Sequence, residues 1–310
     1  MQLQLENFLN SKLYLTHRGL DEPIDYNKAR WTDYIINNDV VFSHRMVPYT
    51  YGFFEDEMHS HDFCELVFYI SGDVHFVSGN KVYHPQYGDI FVAAPTEIHC
   101  ARLDKTSVYN RYVLWFDTEF CKFLTEGNNH LAGFIFNKIK GEHNIITLPE
   151  NALARVASLF NQIEFALTAS YDGSNTMALS YLLQLLVTIN THSKNNIAID
   201  RSVPLPECII RATTYIEDNY KELDNISEIA NYAHISREHL SRLFKQYYGT
   251  TVINYINEKR VNESKRLLEL GANVTEACYA SGFNNVSYYI KTFGQKVGVT
   301  PLEFKHSIKK

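Results

Sequence analysis

The residues best placed to do chemistry in the first half of the chain are His59, His61, Glu65 and His99. Imidazole and carboxylate hold Zn, Fe, Ni or Mn, and they also hydrogen-bond polar small molecules. In a strand, residues two apart share a face, so His59 and His61 point the same way. Glu65 joins them if the strand stays regular, and His99, at the end of a later strand, closes the set. The cluster therefore reads as an effector contact, as a divalent metal site, or as polar bonds that only hold the fold. Tyr49, Tyr51, Phe53 and Phe54 precede it. Aromatic faces beside polar groups suit a sugar, although an aromatic-rich core is the commoner explanation. His75 and His84 alternate with apolar residues and read as ordinary strand positions.

A second set of reactive surfaces lies on two copies of one pattern, at 226–249 and 274–298. Each copy reads as a short helix, a tight turn and a second helix. In the first, Ile226, Ile229, Ala230 and Ala233 form an apolar face, and His234-Ile235 makes the turn. Ser236 is a suitable N-cap for the helix that follows. Leu240, Leu243 and Phe244 are that helix's core face, which leaves Arg237, Glu238, Ser241, Arg242 and Lys245 toward solvent. In the second copy Gly282-Phe283 makes the turn, Asn284 or Asn285 caps, and Tyr289 and Phe293 anchor. Asn285, Val286, Ser287, Ile290 and Lys291 lie outward.

These outward residues have the chemistry of base readout. An Arg fork on guanine is the commonest specific pairing, so Arg242 is the leading base-reading candidate, with Glu238 and Ser241 beside it. Arg237 and Lys245 fall nearer phosphates. Val286 and Ile290 can touch a thymine methyl but cannot hydrogen-bond, so the second half-site is expected to be read loosely and to be A/T-rich. Thr251 to Leu270 has no Gly or Pro and reads as one connecting helix of roughly 30 Å, with Ile253, Ile256, Val261, Leu267 and Leu268 as a rough apolar stripe. That length suits two recognition helices in successive major grooves, about 34–36 Å apart.

The C-terminal third resembles the DNA-binding domain of the AraC/XylS family of bacterial transcription regulators. The resemblance rests on Ile229-Ala230, Ala233, Ser236, Leu240, Arg242, Phe244-Lys245, Gly249, Tyr255-Ile256, Arg260-Val261 and Leu267-Leu268. It continues through Gly282-Phe283, Ser287-Tyr288-Tyr289, Lys291, Phe293, Gly298, Thr300-Pro301 and Phe304-Lys305. Gly294 departs from it, standing where the family usually has Lys, which implies the loss of one phosphate contact. The histidine cluster resembles the two motifs of the cupin barrel, where three His and one Glu bind a divalent metal. The second motif departs: Pro95 to His99 is one residue short, Glu97 stands where Gly is usual, and no Asn follows.

These residues must be held by two kinds of element. VVFSHRMV, FCELVFYI, DVHFVS, KVYH, DIFVAA and RYVLWF read as short strands of a small barrel or sandwich, with turns at Gly79-Asn80 and Gly88-Asp89. From Pro149 the period becomes helical. One helix carries Leu153, Val156, Phe160, Ile163 and Leu167, and a second carries Leu179, Leu182, Leu183, Leu186 and Val187. The fold class expected is α+β multidomain: an N-terminal cupin-like β-barrel with a helical hairpin, then an all-α domain with two helix-turn-helix motifs joined by a long helix. The boundaries expected are 1–148 for the sensing barrel, 149–191 for the hairpin, 192–206 for a linker and 207–310 for the DNA-binding domain. The hairpin either covers the barrel or also pairs two subunits, as such helices often do in the family resembled.

Composition narrows the classes. The N-terminus has no basic start or long apolar run, so it is not a secretory signal. No stretch reaches the roughly 18 apolar residues of a membrane span. Five scattered cysteines without CxxC spacing read as reduced thiols, which with the missing signal points to a cytoplasmic protein. Net charge is −6, but residues 207–310 hold 14 Lys and Arg against 12 Asp and Glu, while residues 1–206 carry −8. Phosphate affinity must therefore come from local clustering. The expected function is a sequence-specific transcription regulator, more an activator than a repressor, that senses a small molecule, with a carbohydrate as first candidate. Its expected partners are double-stranded DNA, RNA polymerase and a second copy of the chain, with no membrane. The reading takes it as no enzyme; no cofactor is required, and divalent metal remains one reading of the cluster. The rivals are a metal-dependent cupin enzyme with a DNA-binding tail, and a constitutive DNA-binding dimer without an effector.

Overall fold

The structure, a computed structural model, describes residues 30–36, 40–48, 57–103, 108–116, 120, 131–169, 171–193 and 202–308. Its first half is a sandwich of two antiparallel sheets. One has the order β1 (Arg30–Ile36), β2 (Val40–Pro48), β8 (Val108–Phe116), β3 (Cys64–Ser71), β6 (Ile90–Ala93) and β9 (Ile145–Ile146). The other has β10 (Val203–Pro204), β5 (Lys81–Tyr83), β4 (Val74–Ser78) and β7 (His99–Leu103). Among the described residues the strands do not close into one hydrogen-bonded ring, so the expected barrel is realised as two facing sheets.

Strand parity sorts the side chains between two cores. Val41, Val67, Val113 and Trp115 point between the sheets and pack with Phe76 and Phe91. Their neighbours Phe42, Leu66, Phe68, Leu114 and Phe116 point to the other side. There they meet α2 (Glu150–Ala169) and α3 (Ser174–Ser193), which follow the short α1 (Gly133–Phe136). A sheet buried on both faces explains why β3 is buried from Cys64 to Tyr69 instead of alternating. The hairpin helices fall where the helical period placed them, and Val156, Phe160, Ile163, Leu182 and Leu186 are fully buried.

The second half is helical: α4 (Glu207–Asn219), α5 (Ile226–Tyr232), α6 (Arg237–Tyr248), α7 (Val252–Glu269), α8 (Val274–Ala280), α9 (Val286–Val297) and α10 (Pro301–Ile308). Side-chain caps start α6 and α9. Ser236 accepts from His239 N at 3.1 Å before α6, and Asn285 accepts from Tyr288 N at 2.8 Å before α9. Thr251 caps α7, accepting from Asn254 N at 3.2 Å. Each such cap contributes about 1 kcal/mol. Gly249 and Gly298 end α6 and α9 with φ of +68° and +84°, where a Cβ would be strained.

Two small cores hold the two units. Ile209, Ile229, Leu240, Phe244, Tyr248 and Tyr255 form the first, and Val261, Leu268, Cys278, Tyr289, Phe293 and Phe304 the second. The single helix α7 supplies residues to both. The first core does not stop at the helices: Met58, Val77, Val82 and Cys100 of the sandwich are part of it. The stretch 192–206, expected as a linker, lies partly outside the described residues, and its Val203–Pro204 pair with Val82 and Lys81 of β5.

Candidate functional site

The candidate DNA-facing surface lies on α6 and α9. Arg237, Glu238, Ser241 and Arg242 are exposed on α6, and Ser287, Ile290 and Lys291 on α9, with Asn285 exposed at its cap and Val286 half-buried against the second core. A cleft of about 700 Å³ opens between the two units, lined by Arg237, Glu238 and Ser241 from the first and by Asn284 and Tyr288 from the second. Both recognition helices thus address the same side of the molecule. The floor is α7, whose Asn257 donates to Tyr288 Oη at 2.7 Å. Ile253, expected in α7's apolar stripe, is instead half-exposed at this cleft. Lys245, expected near phosphates, faces the sandwich: it bonds the Gly249 carbonyl and lies 3.5 Å from Glu57.

The units are locked together beneath the cleft. Arg260 of α7 is buried and donates to the Tyr220 and Leu223 carbonyls at 2.7 and 2.6 Å. The turn glycine Gly282 of the second unit presses on Lys221 of the first; a Cβ there would meet Lys221 O at 2.5 Å and Cα at 2.6 Å.

The histidine cluster is assembled as the sequence proposed, but by a different route. No regular strand runs from His59 to Glu65. His59 instead forms an isolated antiparallel bridge with His99, bonding backbone to backbone at 3.0 Å in both directions. His99 opens β7 rather than ending a strand, because a turn at Pro95–Glu97, with Thr96 at φ +62°, intervenes. One ring nitrogen from each of His59, His61 and His99 lies within 4.8 Å of the others. Each Nδ1 contacts a backbone carbonyl: His59 that of Glu57 at 2.9 Å, His61 that of Phe63 at 2.8 Å, His99 that of Glu97 at 2.9 Å. A carbonyl only accepts, so each Nδ1 carries the proton and each Nε2 is the atom turned to the cluster.

Glu65 closes one side. Trp115 Nε1 donates to its Oε1 at 2.6 Å, while Oε2 lies 3.0 Å from His99 Nε2 and 3.6 Å from His61 Nε2. Burial pushes the carboxyl up, but the His61 and His99 imidazoles outweigh it and hold Glu65 well below the usual range. Burial likewise lowers His99, yet bonding to Glu65 prevails and raises it above its ordinary value. His59 is driven down to about 3, by burial first and then by the facing His99 and His61. His61 is 8 % exposed, and its Nε2 has no hydrogen-bond partner. Three converging Nε2 atoms beside the Glu65 carboxylate, one of them without a hydrogen-bond partner, are a donor set that fits a divalent transition-metal ion in place of the proton held between His99 and Glu65.

The Glu97 departure from the cupin pattern has a structural reason. Its carboxylate accepts from Lys138 Nζ at 2.6 and 2.7 Å, Gly141 N at 2.7 Å, Asn144 Nδ2 at 2.7 Å and Ala94 N at 2.8 Å. It therefore pins the 138–144 segment to the sandwich. Burial raises its pKa, and Lys138 brings the balance below the ordinary value.

Sequence reasoning passed over Arg45 and Arg111. They are directly opposite on β2 and β8 and only 1 % exposed. Arg45 lies over the Trp115 ring at 4.4 Å and Arg111 over Tyr109 at 4.0 Å. The signal was parity: Arg45 is in phase with Val41 and Val47, and Arg111 with Val113 and Trp115, so both point between the sheets.

Two helix-turn-helix units on one connecting helix, behind a sandwich with a polar interior, define a class of DNA-binding proteins with a ligand-binding domain. Residues 47–187 match the AraC-like ligand binding domain, and residues 229–307 match a helix-turn-helix domain family. The chain is 23% identical over 255 residues to an uncharacterized HTH-type transcriptional regulator, YfiF, of Bacillus subtilis (strain 168), covering 80% of this chain and 78% of that one. It is 23% identical over 261 residues to the HTH-type transcriptional activator RhaR of Enterobacter sp. (strain 638), covering 81% and 88%. Among solved structures, ToxT of Vibrio cholerae aligns over 88% of this chain and 99% of its own, at 15% identity and a TM-score of 0.33. This protein belongs to the AraC/XylS family and is a transcriptional regulator. No helix among the described residues is long and apolar enough to cross a membrane.

Proposed function

We propose that this protein is an effector-controlled transcriptional activator that reads two successive major grooves as a homodimer. The observation that carries the reading is the shared cleft, onto which both recognition helices open while the sandwich packs on the far side of α7. In this reading Arg242, Glu238 and Ser241 contact bases, with Arg237 nearer phosphate. Asn285, Val286, Ser287, Ile290 and Lys291 read the second half-site. Dimerisation through α2 and α3 is supported by exposed Phe165, Met177 and Val187 on that hairpin. RNA polymerase is the partner an activator requires.

The effector is proposed to be a carbohydrate or sugar acid held between the sheets. The Arg45 and Arg111 guanidinium groups between the sheets, beside the His59, His61, Glu65 and His99 cluster, suit a polyhydroxylated, anionic molecule. That the similar RhaR protein is described as a transcriptional activator supports activation.

The test is to select duplexes from a random pool with the full chain and then titrate them. Arg242→Ala should cost about 1–3 kcal/mol at one base position. Uniform weakening on all sequences would reduce Arg242 to a phosphate contact. A thermal-shift panel of sugars and sugar acids tests the effector: a ligand at 100 times its dissociation constant adds about 2.7 kcal/mol. If no sugar or sugar acid raises the melting temperature, the carbohydrate assignment falls.

A further inference from the structure

The sandwich is joined to the two helical units in two different ways. To the first unit the tie is apolar: Met58, Val77, Val82 and Cys100 share its core. Two hydrogen bonds accompany it, from Met58 N to the Tyr248 carbonyl at the end of α6 at 3.0 Å, and from Thr213 Oγ1 to Asn80 Oδ1 at 2.7 Å. The second core holds no residue of the sandwich among the described residues.

To the second unit the tie is polar, and it runs through residues 57–62. His59 and His61 turn into the histidine cluster, while Ser60 and Asp62 turn onto α7. Ser60 Oγ donates to Glu258 Oε1 at 2.5 Å and accepts from Asn262 Nδ2 at 2.9 Å, and Asp62 Oδ1 accepts from Lys265 Nζ at 2.5 Å. Glu258, Asn262 and Lys265 are spaced i, i+4, i+7 on one face of α7. The other oxygen of Glu258, Oε2, accepts from Lys296 Nζ of α9 at 2.6 Å. Asp62, Lys265, Glu258 and Lys296 thus make a junction with two charges of each sign. Burial alone would raise Glu258, but Lys296, Ser60 and Lys265 outweigh it and hold the carboxyl below its ordinary value. The Lys265 and Glu258 side chains are each 7 % exposed, so water screens neither charge well.

We infer that Asp62 supplies the charge that keeps Glu258 on Lys296, so that Glu258 is the positioning residue for α9 and the second half-site is the one the sandwich controls. This rests on the reading of α9 as the helix that meets the second half-site. With Asp62 in place, each lysine has a carboxylate of its own. With Asp62 withdrawn, two lysines are left with Glu258 alone. Lys265 already acts on that carboxylate, lies on the same helix face and is the more buried of the two, so it competes with Lys296 for it. A buried charge deprived of its partner is the costly case, which drives the exchange. Lys296 is loosened, and α9 with it. The end of α6 is spared, because its tie to the sandwich is the shared apolar core and does not involve Asp62. Ser60 and Asp62 alternate with His59 and His61, so a shift of those imidazoles inside the sandwich carries both outward-facing residues with it.

The test uses the full chain as Asp62→Asn and as the double variant Asp62→Asn/Lys265→Met. Asp62→Asn should quicken hydrogen exchange in residues 286–297 and leave residues 237–248 unchanged. It should weaken binding to a selected two-half-site duplex by about 5-fold or more, the usual range of coupling between sites. Binding to a duplex whose second half-site is scrambled should stay the same. Adding Lys265→Met removes the competing charge, so the double variant should recover native exchange in α9 and native affinity. Unchanged exchange in Asp62→Asn overturns the inference. So does equal quickening of α6 and α9, which is general destabilisation, and so does a double variant as loose as Asp62→Asn, which removes the charge argument. If exchange follows the expected pattern and the double variant recovers, while scrambling the second half-site changes nothing in the native protein, the junction stands and the reading of α9 beneath it falls.

Discussion

Gly282→Ala should be the most damaging single-methyl change in the DNA-binding half, and its cost can be separated into two parts. Gly282 has φ +96°, a region that an L side chain enters at a cost of about 1–3 kcal/mol. The added Cβ would also stand 2.5 Å from Lys221 O, 2.6 Å from its Cα and 2.9 Å from its C. All three are backbone atoms, so no flexible side chain can swing away. Relieving that overlap requires moving the α4–α5 connection against the second unit, an overpacking cost of about 1–3 kcal/mol more. Gly271 is the matched control, because it has φ +101° and nothing within 4 Å of its would-be Cβ. Gly271→Ala should therefore show the backbone cost alone. Urea unfolding of both variants should give about 1–3 kcal/mol for Gly271→Ala and roughly 2–6 kcal/mol for Gly282→Ala. Because Gly282 is a close backbone contact between the units, its variant should also lose affinity for two-half-site duplexes more than for single half-sites. Equal destabilisation by the two substitutions would refute the contact argument.

Three further outcomes follow from particular residues. Arg260→Met should destabilise by about 2–4 kcal/mol in urea unfolding, since the Tyr220 and Leu223 carbonyls lose a charged donor at a buried position. Ser236→Ala should cost about 1 kcal/mol by removing the cap on His239 N, with thermal unfolding as the readout. Glu263 is brought down from 4.5 to about 2, first by Arg266 and, against some burial, by Lys221. A lowered folded-state pKa gives stability that is full above about 4.5 and lost as pH falls toward 2. The difference in stability between the native protein and Glu263→Gln should therefore be constant at neutral pH and shrink across that acid window; a difference that persists at pH 2 would show that the ion pairs do not act through the charge.

Much of the helical half was legible because its signals are local. Ser236 and Asn285 are caps whose side chains bond amides three residues on, and the apolar spacing of Leu240, Phe244, Tyr289 and Phe293 gives the buried face directly. In the sandwich, the hairpin at Gly79-Asn80 and the turn at Gly88-Asp89 were equally local. Strand β1 was not read, since its burial depends on pairing with β2 rather than on its own pattern. His99 was assigned to the wrong end of a strand because the Thr96 turn, with positive φ at a non-glycine residue, leaves no composition signal. Ile253 was counted as core although it is half-exposed, because a helix between two units has no single inside face.

The chain carries in its own order the residue types of both chemistries, the imidazoles with Glu65 and the exposed Arg and Asn faces of two capped helices. Short-range bonds, periodic burial and turn geometry are enough to specify those, since each involves residues only a few positions apart. What joins them depends on contacts across long separations. Ser60 meets Glu258 198 residues away, Asp62 meets Lys265 203 residues away, and Gly282 seats on Lys221. Such contacts follow from how the sandwich and the two helical units pack, and no local pattern encodes that packing. Folding is therefore what puts the histidine cluster and the helical half on either side of one six-residue segment, 57–62.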